Sequence, residues 1–137
     1  MLLYYILSFL GGNRLNNIKI VGILTKKTIQ ILELSILEGT KILCGDSNIL
    51  HMKESHPEDF EKYGDKLVEI IKYPTYVCKH PDKKSIEFVK IFIDDNNAHV
   101  LVAVRTTGTN TLFARTLFVM SDEKVRKYYY KNAFKPY

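Results

Sequence analysis

Cysteine is scarce in this 137-residue chain, and the two present, Cys44 and Cys78, stand far apart in apolar surroundings. That spacing fits neither a zinc ligand set nor a redox pair, and it predicts buried free thiols suited to a reducing cytoplasm. The chain also lacks an apolar run of membrane length. "MLLYYILSFL" at the start is about half of the roughly 20 residues a span requires, and no basic segment precedes it as in a secretory signal. It reads as an N-terminal strand or core-packing segment, with no membrane partner. No repeat, Pro/Ser-rich linker or block of like charge marks a boundary. One domain over residues 1–137 follows, with 1–17 set apart as an accessory segment. The fingerprints of P-loops, dinucleotide folds and serine-hydrolase elbows are missing too, so no cofactor is called for.

What is there is ordinary for a globular protein: 46% hydrophobic and 26% charged residues. A chain of this length buries roughly two-thirds of the surface it exposes when unfolded, enough for one compact core. The net charge of +5 has the sign that draws polyanions, nucleic acid above all. Mildly basic domains without such a partner are also common, so charge by itself leaves both readings open.

After the "GGNRLNN" turn, "IKIVGIL" predicts a strand, and Thr25 caps a helix through "KKTIQILEL" that Gly39 closes off. "TKILC" predicts a second strand, and Asp46 or Ser47 caps the short helix carrying His51. Pro57 is favoured at a first helical position, and Ser55 with Glu58 has the form of a capping box. The helix begun there shows Phe60, Tyr63, Leu67, Ile70 and Ile71 at helical spacing until Pro74. His56 therefore falls at a joint between two helices. From Thr75 the period becomes alternating: "TYVC", "SIEFVKIFI", "HVLVAVRT" and "TLFARTLFVM", with "DDNNA" and "TGTN" as turns. The last three strands form an antiparallel meander, and Ser121 caps a short basic helix, "DEKVRKYYYKN". The expected class is α+β: N-terminal helices packed on a mostly antiparallel sheet, with a short C-terminal helix.

Alternation assigns faces. Val100, Val102, Val104 and Thr106 point toward the helices, and His99, Leu101, Ala103 and Arg105 point away. Without a bulge, Arg115 leaves the last strand on the same side as Arg105. Two guanidinium groups on neighbouring strands, each a planar fork of donors, form either a phosphate-binding surface or a merely solubilising one. Thr106 and Thr107 add hydroxyls beside Arg105. Lys90 is a cation in an otherwise apolar strand, and it serves as a substrate contact, an edge guard or a snorkelling rim residue.

The five-residue step from His51 to His56, interrupted before Pro57, is a poor frame for a metal, and no cysteine or carboxylate cluster completes a ligand set. No metal is expected. Proton transfer remains: an imidazole takes and gives a proton near neutrality. With arginines and a positive net charge, that chemistry points to phosphodiesters. In the tail, "KVRKYYYKNAFKPY" interleaves cations with tyrosines, so either Lys127 and Tyr128 contact RNA, or Val125, Tyr128 and Tyr129 pack the closing helix while the lysines face water.

The run "HMKESHPEDF" into a helix ending "IIKYPTYV", then "KKSIEFVKIF", "HVLVAVRTTG" and "LFARTLFVMS", resembles the phage and mobile-element branch of the barnase, EndoU, colicin and RelE-like (BECR) nucleases, over roughly residues 18–130. The resemblance implies a toxin-type, metal-independent endoribonuclease whose open sheet face holds the scissile phosphate. Carried over, the paired histidines are His51 and His56, the arginine ending the next-to-last strand is Arg105, and the "RT" of the last strand is Arg115 and Thr116. Ser121 stands where a polar residue closes the pattern. Thr116 is at odds with simple alternation, which sends it to the opposite face from Arg115 unless a bulge intervenes. The expected reaction is attack of a ribose 2′-hydroxyl, freed of its proton by His51, to leave a 2′,3′-cyclic phosphate. His56 is then the second proton-transfer group or a substrate contact. The alternative is a noncatalytic RNA-binding or protein-interaction module of a phage or mobile element. The resemblance also implies RNA as substrate and an antitoxin or immunity protein as partner.

Overall fold

The computed structural model describes residues 3–8, 15–81, 83–107 and 110–137, with side chains described from residue 17 onward. Strands β1 (Leu3–Ser8) and β2 (Leu15–Ile23) precede helix α1 (Lys26–Leu32). Strand β3 (Lys41–Gly45) leads directly into α2 (Asp46–Ser55), α3 (Pro57–Tyr63) and α4 (Leu67–Lys72). Then come β4 (Tyr76–Lys79), β5 (Ile86–Phe92), β6 (Ala98–Thr107), β7 (Thr111–Val119), α5 (Asp122–Tyr130) and β8 (Lys135–Pro136). Residues 11–14 of the first expected turn and 108–109 of the last lie outside the described residues.

The described strands form one sheet in the order β1-β2-β3-β7-β6-β5-β4-β8, with every neighbouring pair antiparallel except β3 and β7. The class is mixed α+β. The helices are not gathered at the N-terminus, however: two strands come before the first of them, and β3 falls between α1 and α2. Short helices that must cover an extended sheet are inserted between its strands, and that interleaving brings β3 alongside β7 although nearly 70 residues separate them in sequence.

The helix-side core collects Leu32 of α1, Met52 of α2, Tyr63 of α3, and Leu67, Ile70 and Ile71 of α4 against Val100, Val102 and Val104, as the alternation in β6 predicts. Gly22 of β2 lies so close to α4 that a Cβ there would come within 2.6 Å of Ile71 Cγ2, so any side chain would force that isoleucine to shift. The opposite face holds a second, smaller cluster in which Tyr128 of α5 and Phe134 pack on Cys78, Val89, Leu101 and Met120.

Several local expectations change. Thr25 caps α1 by accepting from Thr28 N at 3.2 Å, but the helix stops at Glu33 in a left-handed conformation, well before Gly39. The cap of α2 is Gly45, whose N–H donates to the Asn48 side chain at 2.8 Å, and Asp46 is the first helical residue. Ser55 completes α2, so no capping box forms with Glu58; Pro57 does open α3 at its first turn. A 3-10 turn over Gly64–Lys66 divides the long helix expected to follow, leaving its buried stripe intact. Ser121 caps α5 by accepting from Lys124 N at 3.1 Å.

Candidate active site

The face of the sheet away from α1 to α4 is only partly covered. α5 lies over Leu101 and Met120, whereas the other end of the same strands stays open. Cross-strand register fixes what that open end displays. Glu87 on β5 stands opposite Ala103 on β6, which stands opposite Thr116 on β7. Between a carboxylate and a hydroxyl, the alanine methyl leaves a recess. One step further along, Arg105 follows Ala103 on the same side of β6.

The decisive irregularity is in β7. Register passes from Ala103–Thr116 to Val104–Ala114, which leaves Arg115 as an unpaired extra residue, a β-bulge. The bulge resets alternation: Leu112, Ala114 and Leu117 are all buried in the helix-side core, whereas Arg115 and Thr116 both line the open hollow with Phe118.

The histidines arrive over the edge of β7. β3 pairs with β7 only at Ile42–Leu112 and Leu43–Phe113, then turns into α2 at Gly45. Helices flank the rest of that edge, and Asp59 of α3 accepts the Val119 N–H at 3.0 Å in place of a strand carbonyl. His56, at the α2–α3 joint, donates its N–H to Met52 O at 3.0 Å and accepts from Phe60 N at 2.9 Å, so its backbone terminates one helix and begins the next. Its ring lies 5.2 Å from that of Phe118. His51, one turn back on α2, is exposed, with Nε2 3.4 Å from Ser55 Oγ.

The resulting hollow has a volume of about 440 Å³. It unites His51, His56, Arg105, Arg115 and Thr116, the candidates drawn from distant parts of the chain. It also contains groups that sequence reasoning passed over: Glu87 on its floor, His80, Lys83 and Ser85 from the β4–β5 hairpin, and Lys124 from the first turn of α5. Glu87 had a signal, since Ser85 and Glu87 alternate with the apolar Ile86 and Phe88 and so mark a polar face. His80 and Lys83 had none, because a hairpin's reach is set by tertiary contacts.

Among the described residues, four permanent cations and a single carboxylate line the hollow. Glu87 is only 3% exposed. Burial raises its pKa, and the hydrogen bond from the Tyr128 hydroxyl and the charges of Lys124 and Lys83 pull it back. Tyr128 donates to Glu87 Oε1 at 2.7 Å. A carboxyl pushed upward in a cationic cleft is a recurrent mark of proton-transfer sites.

The other sequence candidates lie elsewhere. Tyr128 is buried beneath α5 and presents no stacking surface; Lys127 is exposed on α5, outside the hollow. Ser121 serves as a helix cap. Thr106 lines a separate hollow and Thr107 is exposed at the end of β6. Lys90 donates to Tyr73 O at 2.8 Å and approaches Glu69 at 3.9 Å; β5 is an interior strand, so this lysine guards no edge.

Among the described residues, no three His, Cys, Asp or Glu side chains gather where they could hold a metal ion. Both cysteines are free and buried, and burial pushes the thiols up to about 11 for Cys44 and about 12 for Cys78, far from nucleophilic thiolates. Among the described residues, no helix is long and apolar enough to cross a membrane.

A family model described as phage-Barnase-EndoU-ColicinE5/D-RelE like nuclease3 matches residues 18–127, most of the chain. The chain belongs to this nuclease family. No curated protein and no solved structure matches it. The nuclease match contains every residue that lines the hollow, from His51 to Lys124. It excludes β1, the last turn of α5 and β8. The nuclease region is therefore the central sheet with α1 to α4 and most of α5.

Proposed function

We propose that this chain is a metal-independent endoribonuclease that uses the ribose 2′-hydroxyl as nucleophile. The observation that carries the reading is the convergence of His51, His56, Arg105, Arg115 and Glu87 on one cationic hollow. In this reading His51 accepts the 2′-hydroxyl proton, the freed oxygen attacks phosphorus, and the P–O5′ bond breaks. His56 returns a proton to the departing 5′-oxygen, leaving a 5′-hydroxyl and a 2′,3′-cyclic phosphate. Arg105 and Arg115 donate to the nonbridging oxygens as negative charge grows on them, an effect commonly worth about 3–4 kcal/mol per well-placed donor. Lys83 and Lys124 add to the local positive potential.

Glu87 competes with His51 for the role of proton acceptor. Its raised pKa supports this, because a base poised nearer the working pH combines correct protonation with driving force. The two assignments differ in their variants. If His51 is the base, His51→Ala loses about a hundred- to ten-thousand-fold in rate while Glu87→Gln stays active; the opposite pattern moves the role to Glu87.

The direct test is incubation of the purified full chain with total RNA in chelator, followed by mapping of product ends. Cyclic phosphate termini are expected. Binding without cleavage would replace this reading with that of a noncatalytic RNA-binding module. A toxin role, with an acidic antitoxin or immunity protein as partner, fits the same cationic hollow, and would show as growth arrest on expression that Arg115→Ala relieves.

A further inference from the structure

Behind the β4–β5 hairpin, on the other side from the histidines and arginines, lies a second hollow of about 290 Å³. Its apolar surface comes from Leu34 and Ile36, in the segment after α1, and from Ile86 and Val104 on the sheet. Its rim is cationic, with Lys79 and Lys84 joining Lys83, and among the described residues no acidic side chain lines it. His80, Lys83 and Ser85 line both hollows, so the two adjoin the same hairpin. Ser85 is only 8% exposed, and among the described residues its hydroxyl has no hydrogen-bond partner. Buried hydroxyls are ordinarily paired, and one left without a partner between two hollows suits a ligand group.

We propose that this second hollow is a nucleobase subsite, taking the base next to the scissile phosphate and thereby setting the enzyme's sequence preference. The proposal rests on the ribonuclease reading above. A nucleobase is flat and apolar on its faces and carries donors and acceptors on its edge, joined to a phosphate that seeks cations. The hollow offers matching features: aliphatic walls, a buried hydroxyl and a lysine rim. Its volume lies just below the roughly 300–1,000 Å³ of drug-sized ligand sites, which suits one ring system. A site built to pair a polar edge also rejects bases that leave its hydroxyl unsatisfied, which is a strong source of selectivity.

The test has two arms on the full chain. In the first, cleavage of an RNA pool with randomised flanks is mapped for base frequency beside the cut. A clear preference for one base is expected in the wild type. Ile36→Trp, which fills the hollow outside the catalytic groups, should flatten that preference to within about twofold. Ser85→Ala should weaken it by about two- to tenfold, the value of one neutral hydrogen bond. In the second arm, the four nucleoside monophosphates are titrated against amide resonances of Ile86 and Val104, with inorganic phosphate as control. Shifts specific to one base support the subsite; shifts no larger than those from phosphate overturn it, even if Ile36→Trp fails to fold. Undiminished preference in a folded Ile36→Trp variant also overturns it. A monophosphate that binds while cleavage ignores base identity would make this a free-nucleotide site and likewise end the RNA assignment. If the wild type cuts no RNA, the ribonuclease reading fails, and the titration still decides whether the hollow takes a base.

Discussion

The two faces of strand β6 make opposite use of the same residues' spacing. Toward α1 to α4, Val100, Val102 and Val104 are almost wholly buried in a uniform apolar layer. Toward α5, the series Leu101, Ala103, Arg105 grades within five residues from buried core to a small recess to a half-exposed cation. One face maximises contact and the other runs from packing into chemistry. The comparison shows how a short strand carries both a core and a cationic hollow: the helix layer supplies stability, so the second face can afford a buried carboxylate and crowded cations.

Neighbouring positions on β7 sharpen that contrast most. Arg115→Ala should lower the cleavage rate by about a hundred- to a thousandfold, with an unchanged melting temperature, as followed by initial rates on a labelled RNA and by thermal unfolding. Leu117→Ala, two residues on and fully buried on the other face, should do the reverse. It costs about 3 kcal/mol of stability in a denaturant titration, and the rate per folded molecule stays near that of the wild type. If Leu117→Ala impaired chemistry as strongly as Arg115→Ala, the division of labour between the faces would be broken.

Asp59→Ala probes the wall that joins them. It removes the acceptor for Val119 N–H, an expected loss of about 1–3 kcal/mol, and should speed hydrogen exchange at that amide. Because the same helix pair carries His56, cleavage should fall along with protection.

The smallest effect concerns Glu87. Burial raises its pKa in the folded state above its unfolded value, so its contribution to stability is present at low pH and is lost as pH rises through the folded pKa. Glu87→Gln keeps an acceptor for Tyr128 but cannot ionise. It should therefore melt higher than the wild type at alkaline pH, with the gain shrinking as the solution is acidified. A constant difference across pH would mean that the carboxylate carries no ionisation penalty.

Much of this was legible in the sequence because local chemistry determined it. The meander from Ile86 to Val119, the Ser121 cap, the opening of α3 by Pro57 and the placement of His56 at a joint all follow from turn residues, caps and period. Arg105 was readable from alternation; Arg115 was read to the same face on the condition of an unbulged strand, and it reaches that face as the bulge residue itself. The position of Thr116 was not settled by alternation, since a bulge of one residue reverses facing and leaves no mark in composition. The parallel pairing of β3 with β7, the break before Leu67 and the reach of the 80–85 hairpin depend on how distant elements pack. Tyr128 was the instructive ambiguity: an aromatic among lysines suits RNA and core alike, and the bond to Glu87 places it inside.

The short pairing of β3 with β7 has one last consequence. On the edge away from β6, an interior strand is left without a strand neighbour beyond Phe113, and two short helices meeting at His56 cover that edge as a shutter. Swinging that shutter away would uncover backbone amides and remove both imidazoles in a single event, so exposure of the strand and loss of cutting would share one opening constant.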